Sequence, residues 1–281
     1  MELLTPLLRS SAVTPCFSDT ATLQGMLDFE AALANAQAEL GIIPAEAARH
    51  ISQACHSHLF DAADLAQAAA QAGNLAIPLV KQLTTRVAEQ NAEAARYVHW
   101  GATSQDAIDT GLILQLRQAI ELTHSDLNRL IAALVSQITR HQDCVLVGRT
   151  WMQHALPTTL GLKLAGTLDA LLRYQQRLDE MRPRVLALQL GGAAGTLASL
   201  GEQGETLVTA LAARLQLTVA DTPLAQSTRP PAGDRRLVCR IKRLAGQTGP
   251  RYLVADANRS GRGGRTGGRW ARWLFDHAAQ T

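Results

Sequence analysis

Two polar segments stand out in a chain otherwise rich in Ala and Leu: Gly101-Ala-Thr-Ser-Gln-Asp-Ala-Ile-Asp-Thr-Gly111 and Gly148-Arg-Thr-Trp-Met-Gln-His-Ala-Leu-Pro-Thr-Thr159. The first gathers the hydroxyls of Thr103 and Ser104, the amide of Gln105 and the carboxyl of Asp106. Hydroxyls and free N–H groups at a helix start can bind the carboxylate of a small molecule. A helix end contributes only about 0.3–2 kcal/mol to a bound anion, so a formal positive charge is needed beside it. Arg149, in the second segment, carries that charge on a planar fork matched to a carboxylate. His154, set among Trp151, Gln153 and Thr158, is the side chain able to move a proton near neutral pH. The same residues have a plainer explanation. Ser104 or Thr103 can cap a helix with Asp106 in its first turn, and a lone histidine is more often structural than catalytic.

The elements that must position these groups are helices. The chain of 281 residues is 47% hydrophobic but only 4% aromatic. Ala and Leu supply most of that mass, and both favour helix over strand. The fold class is therefore all-α. Leu112, Leu116, Ile120, Leu127, Leu130, Ile131, Leu134, Val135 and Ile138 recur at helical spacing, so one long helix from Leu112 to His141 separates the two polar segments. Upstream, Leu23 to Leu40 reads as an amphipathic helix closed by Gly41. Pro44 opens a second helix toward Ser57, Asp61 caps a third through Ala72, and Pro78 starts a fourth to about Ala95. Residues 1–98 form a small N-terminal helical domain, and residues 99–223 part of a long-helix bundle. Further helices fit Pro157 to Met181, interrupted by Arg182-Pro183, and Glu202 to Leu215.

Several tempting motifs dissolve on inspection. Cys55-His56-Ser57-His58 lacks further ligands at metal spacing, and Cys16, Cys55, Cys144 and Cys239 share no redox pattern, so no metal is assigned. Gly191-Gly192-Ala193-Ala194-Gly195-Thr196 lacks the Lys-Ser/Thr ending of a phosphate loop. It reads as a tight turn that brings backbone close to a substrate or another helix. The start, Met1-Glu2-Leu3-Leu4-Thr5-Pro6, lacks a secretory signal, and nothing reaches transmembrane length; a cytoplasmic, reduced setting is expected, with no membrane partner.

The tail from Leu224 to Thr281 breaks the pattern. Eleven Arg and one Lys face three Asp there, a net of +9, against −6 for the preceding residues. An Arg/Gly-rich segment without periodicity reads as disordered, and by itself suggests affinity for nucleic acid that falls steeply with salt. The two polar segments lend that reading no support. A sharper explanation comes from the codons able to encode the tail. Displaced by one base, one consistent choice of them yields an Ala/Leu-rich text with helical periodicity that ends GGSSTMPHKRN. The tail from about Leu224 is therefore expected to be frameshifted, and resequencing the coding DNA tests it.

Gly101 to Gly111, Gly148 to Lys163 and Gly191 to Thr196 resemble successive segments of the fumarase/aspartase/adenylosuccinate lyase superfamily, and the likeness covers roughly residues 1–223 in order. The superfamily's third signature, a loop resembling GSSxMPxKxN, is absent from the chain as translated and present in the displaced frame. The resemblance implies long-helix bundles of the fumarase/aspartase type, incomplete here at the C-terminus. It also implies homotetramers with each site assembled from three subunits, and no cofactor. Most lyases of the group place histidine straight after Gly-Arg-Thr, where this chain has Trp151. That departure resembles the muconate-lactonizing branch, whose substrate is a tricarboxylate of aromatic catabolism. There an ionised carboxylate adds intramolecularly across a double bond, which lessens the need for proton abstraction. By resemblance His154 is the proton donor and Ser104 is catalytic. Thr103, Gln105, Arg149, Gln153 and Thr158 bind carboxylates, Trp151 dries the pocket, and Asn74 and His99 fall at substrate contacts, although both could equally be structural. An adenylosuccinate lyase-like enzyme, disfavoured by Trp151, and an inactive truncated family member are the alternatives.

Overall fold

The computed structural model describes residues 12–219. The basic tail from Leu224, with Cys239, and the amino-terminal Met1 to Pro6 lie outside them. The described residues form two compact units: residues 12–122 with 182–219, and residues 123–181. Both divisions fall inside long helices rather than near Val98.

In the first unit, helix α1 (Asp19–Glu39), expected to be amphipathic, is buried on nearly all sides, whereas α2 (Ala45–Ala54), α3 (Ala62–Ala72) and α4 (Ala76–Gln90) follow the apolar periodicity of the sequence. The starts of α1 and α3 are capped by short polar side chains. Ser18 Oγ accepts from Ala21 N, and Asp61 Oδ1 accepts from Ala63 N and Asp64 N. Such caps satisfy backbone donors that have no partner within the helix. Helix α4 starts two residues ahead of Pro78 because Asn74 Oδ1 accepts from Ala76 N and Ile77 N. Pro78 thus sits in the first turn, where its missing N–H costs nothing. Helix α1 packs on α2 and on α7 (Gly204–Leu215), and Leu27, Phe29, Leu33, Ile51, Leu207 and Leu211 are fully buried.

The long helix α5 (Ser104–Arg140) meets α1 backbone to backbone. A Cβ added at Gly111 would lie 2.9 Å from Met26 N and 3.0 Å from the Gly25 carbonyl carbon. One added at Gly25 would lie 2.7 Å from the Gly111 carbonyl oxygen. Replacing Gly111 with Ala gains about 1 kcal/mol of helix propensity. It also forces two backbones apart, and overpacking of that kind costs about 1–3 kcal/mol. Backbone cannot swing aside as a side chain can, so the upper end applies. Gly111→Ala is expected to lose about 1–2 kcal/mol net, read as a lower urea midpoint; an unchanged midpoint would show that the crossing is looser than described.

The second unit pairs α5 residues 123–140 with helix α6 (Leu160–Val185), which continues into the first unit. Leu127, Leu134 and Leu171 form its core, flanked by Leu130, Ile131, Leu164 and Leu168. Spacings of three and four place these on one stripe of each helix. His124 Nε2 reaches Asp179 at 3.3 Å, and Gln175 donates to Asn128 along the same seam.

Two expectations need correction. The stretch through His154 and Pro157 is not the approach to a helix but an antiparallel hairpin, β1 (Val145–Thr150) with β2 (Gln153–Thr159). Trp151 and Met152 both have positive φ, 51° and 63°, as a two-residue type I′ turn requires. Pro157 is tolerated because every strand of a two-stranded ribbon is an edge. The helix starts three residues later, where Thr159 Oγ1 accepts from Leu162 N. Nor does Arg182-Pro183 interrupt α6, which runs on to Val185. A short parallel pair, β3 (Ala187–Leu188) and β4 (Thr218–Val219), follows. The architecture remains helical, with these ribbons added. Among the described residues no helix is long and apolar enough to cross a membrane.

Candidate active site

The first polar segment is the opening of α5. Thr103 is its N-cap: its carbonyl accepts from Asp106 N at 2.9 Å and from Ala107 N at 3.4 Å. Asp106 Oδ2 reaches back to accept from Thr103 N at 3.0 Å, the carboxyl half of a capping box. The carboxyl does more than cap. Its side chain is buried with no exposed surface, and it also accepts from Gln189 Nε2, Gly191 N and Gly192 N, each at 3.0 Å. Thr110 adds a reciprocal pair, donating to the Gln189 carbonyl at 2.8 Å and accepting from Gln189 N at 3.1 Å. The glycine-rich turn is therefore tied to the start of the long helix, and its backbone amides are consumed by Asp106 rather than by a phosphate.

Ser104 opens the first turn, and its hydroxyl and that of Thr103 make no hydrogen bond among the described residues. Gln105 is exposed and donates to Asp109 Oδ1 at 2.7 Å. Burial pushes the Asp109 carboxyl up; the Gln105 hydrogen bond lowers it and the charge of Asp106 raises it again.

His99, in the loop leading into α5, has φ 59° and holds Glu30 Oε1 at 2.6 Å through Nδ1. The Glu30 side chain is 1% exposed and that of His99 15%. Burial works against a charged ring, but the charge and hydrogen bond of Glu30, with the charge of Asp106, outweigh it and hold the His99 pKa above the ordinary histidine value. The next carbonyl, Trp100, accepts from Gln37 Nε2 at 2.7 Å. Asn74 stands at the start of α4 with Oδ1 engaged as a cap.

The remaining candidates occupy the hairpin of the second unit. Arg149 and His154 are cross-strand partners, with Arg149 Nη2 3.4 Å from His154 Nε2, and Thr150 faces Gln153. Thr158 pairs with Leu146 further along. Trp151, at the tip, is 96% exposed, so it encloses nothing among the described residues. The structure thus gathers the candidates into two groups, Asn74, His99 and 103–105 in one unit and 149–158 in the other. Reading by motif missed Glu30, Gln37 and Gln189, whose one visible signal is a polar residue inside an apolar stripe. Among the described residues no three His, Cys, Asp or Glu gather as metal ligands.

A family model described as lyase matches residues 9–230. The chain is 58% identical over 207 residues to the 3-carboxy-cis,cis-muconate cycloisomerase of Pseudomonas aeruginosa, covering 74% of this chain and 45% of that protein. It is 52% identical over 221 residues to a protein of the same name from Bradyrhizobium diazoefficiens, covering 79% and 49%. The 3-carboxy-cis,cis-muconate lactonizing enzyme of Pseudomonas putida matches in structure with a TM-score of 0.79 at 51% identity, over 81% of this chain and 52% of that one. The chain spans about half the length of these relatives. The family match runs through both polar segments and the glycine-rich turn, and the chain belongs to the lyase family.

Proposed function

We propose that the chain belongs to a cycloisomerase that converts 3-carboxy-cis,cis-muconate to carboxymuconolactone. The observation that carries the reading is the identity above one half to proteins of that name across most of this chain. In this reaction a substrate carboxylate oxygen attacks an alkene carbon and a C–O bond forms. The alkene electron pair moves onto the neighbouring carbon, delocalised into the activating carboxylate, and a proton delivered to that carbon completes the lactone. No atom leaves. The work of the protein is to hold the tricarboxylate bent, to stabilise the developing enolate-like charge and to supply the proton. Arg149, Gln153 and the Thr103 and Ser104 hydroxyls bind carboxylates; His154, 3.4 Å from Arg149, gives the proton. Intact, the enzyme is a cytoplasmic homotetramer of the protocatechuate branch, with no cofactor, and each site draws on more than one copy.

The family match ends at residue 230, close to Leu224, which agrees with a tail read in a displaced frame. An ultraviolet assay of muconate loss on this chain and on a one-base-corrected version tests both readings. Activity in the corrected protein alone is expected. Equal activity in both would refute the misread tail, and none in either would refute the substrate.

A further inference from the structure

Helix α1 carries two buried polar side chains, Glu30 and Gln37, seven residues and so about two turns apart on one face. Both reach the same loop. Gln37 holds the Trp100 carbonyl, and Glu30 holds the His99 ring. Around Glu30 the helix buries Met26, Leu27, Phe29 and Leu33, a setting in which a carboxylate needs a compensating partner. Its second oxygen, Oε2, has no hydrogen-bond partner among the described residues, so His99 is the group that compensates it. The left-handed backbone at His99 is uncommon outside glycine, and it persists where surrounding contacts over-determine it. Glu30 on the ring and Gln37 on the next carbonyl are those contacts.

We propose that Glu30 is a positioning residue: by binding Nδ1 of His99 it fixes the imidazole with the opposite nitrogen, Nε2, offered as an N–H donor to a carboxylate of the substrate. The proposal rests on reading His99 as a substrate contact of the cycloisomerase. The partner on one ring nitrogen decides what the other can do. A neutral ring that donates from Nδ1 to Glu30 would present a lone pair at Nε2 and repel a carboxylate. Only the doubly protonated ring donates from both sides. The charged groups acting on it are Glu30 from α1 and Asp106 from α5, and both favour that form. A glutamine at position 30 can still accept from Nδ1 but lacks the charge, so it turns Nε2 from donor to acceptor with little change in shape.

The test uses the one-base-corrected protein labelled with 15N-histidine, with the His99 ring signals identified by their loss in His99→Gln. Near pH 6.5, where an ordinary histidine is half protonated, wild-type His99 should carry protons on both nitrogens. In Glu30→Gln it should be neutral with Nε2 bare, and Glu30→Asp should restore part of the double protonation. Tricarballylate, propane-1,2,3-tricarboxylate, is the binding probe. Its titration should move the wild-type Nε2 resonance, and its Kd should rise about tenfold in Glu30→Gln, as loss of one charge-assisted hydrogen bond implies. A folded Glu30→Gln protein whose His99 keeps its protons overturns the positioning role, as does equal tricarballylate affinity in the two proteins. Should Glu30→Gln fail to fold, Glu30→Asp and wild type carry the same comparison. Wild-type protein that ignores tricarballylate while its His99 protonation still depends on Glu30 would sink the substrate reading instead, and the carboxylate-binding part of the proposal with it.

Discussion

Asp106→Asn is expected to lower the stability of the folded chain by about 3–5 kcal/mol, because its buried carboxylate is the shared acceptor of four N–H donors. Each carboxyl oxygen of Asp106 takes two donors: Gln189 Nε2 and Gly191 N on Oδ1, Thr103 N and Gly192 N on Oδ2. Asparagine keeps one oxygen and points an NH2 group at the other two donors. Two buried N–H groups are then left unsatisfied, at about 1–3 kcal/mol each. The surviving pair also loses its charge assistance. With domain stabilities of about 5–15 kcal/mol, that loss removes about a fifth or more of the total. Urea unfolding measures it as a lower midpoint at constant slope, and amide exchange at Gly191 and Gly192 should quicken as the turn comes free of α5. A loss under about 1 kcal/mol would show that water can replace the carboxylate, and that the glycine-rich turn is not held by Asp106.

That cluster also shows where the sequence is informative and where it is not. Local signals are legible because their partners lie within one turn of helix. Asp61 locates the start of α3 to the residue, the apolar spacing of 23–40 locates α1 apart from its first turn, and Thr103 with Asp106 marks the start of α5. What could not be read is which distant groups share Asp106. Gln189 lies 83 residues away, and nothing in Leu188-Gln189-Leu190 names its partner. Glu30 is similar: a charge in the apolar stripe of α1 announces that it is paired, but not that His99, 69 residues on, is the pair. The hairpin was missed for another reason. Proline after a polar stretch fits a helix start and an edge strand alike, and the positive φ at Trp151 and Met152 arises at residues that give no glycine or asparagine signal for it. The candidate residues rest on motif and resemblance, which name side chains without saying which unit carries each.

Arg149→Met should reduce kcat/KM for 3-carboxy-cis,cis-muconate by about 100- to 1000-fold in the one-base-corrected protein, while leaving stability within about 0.5 kcal/mol. The two parts follow from different features of the same residue. Arg149 is exposed on β1, so shortening it removes little packing. Its guanidinium lies 3.4 Å from His154 Nε2 across the ribbon, so a carboxylate held by the fork comes within reach of His154, the proposed proton donor. In the addition step negative charge leaves the attacking carboxylate and builds on the activating one. A cation fixed at the second stabilises the transition state more than the bound substrate, and its removal therefore falls on kcat as well as KM. Arg149→Lys restores the charge but not the two parallel donors, and partial recovery is expected. The ultraviolet assay, paired with a thermal melt of each variant, separates the effects. A melt that falls with the activity would make Arg149 a structural strut of the hairpin. A fall in kcat/KM of less than about fivefold at an unchanged melt would remove Arg149 from the site, and with it the charge that a helix end alone is too weak to replace.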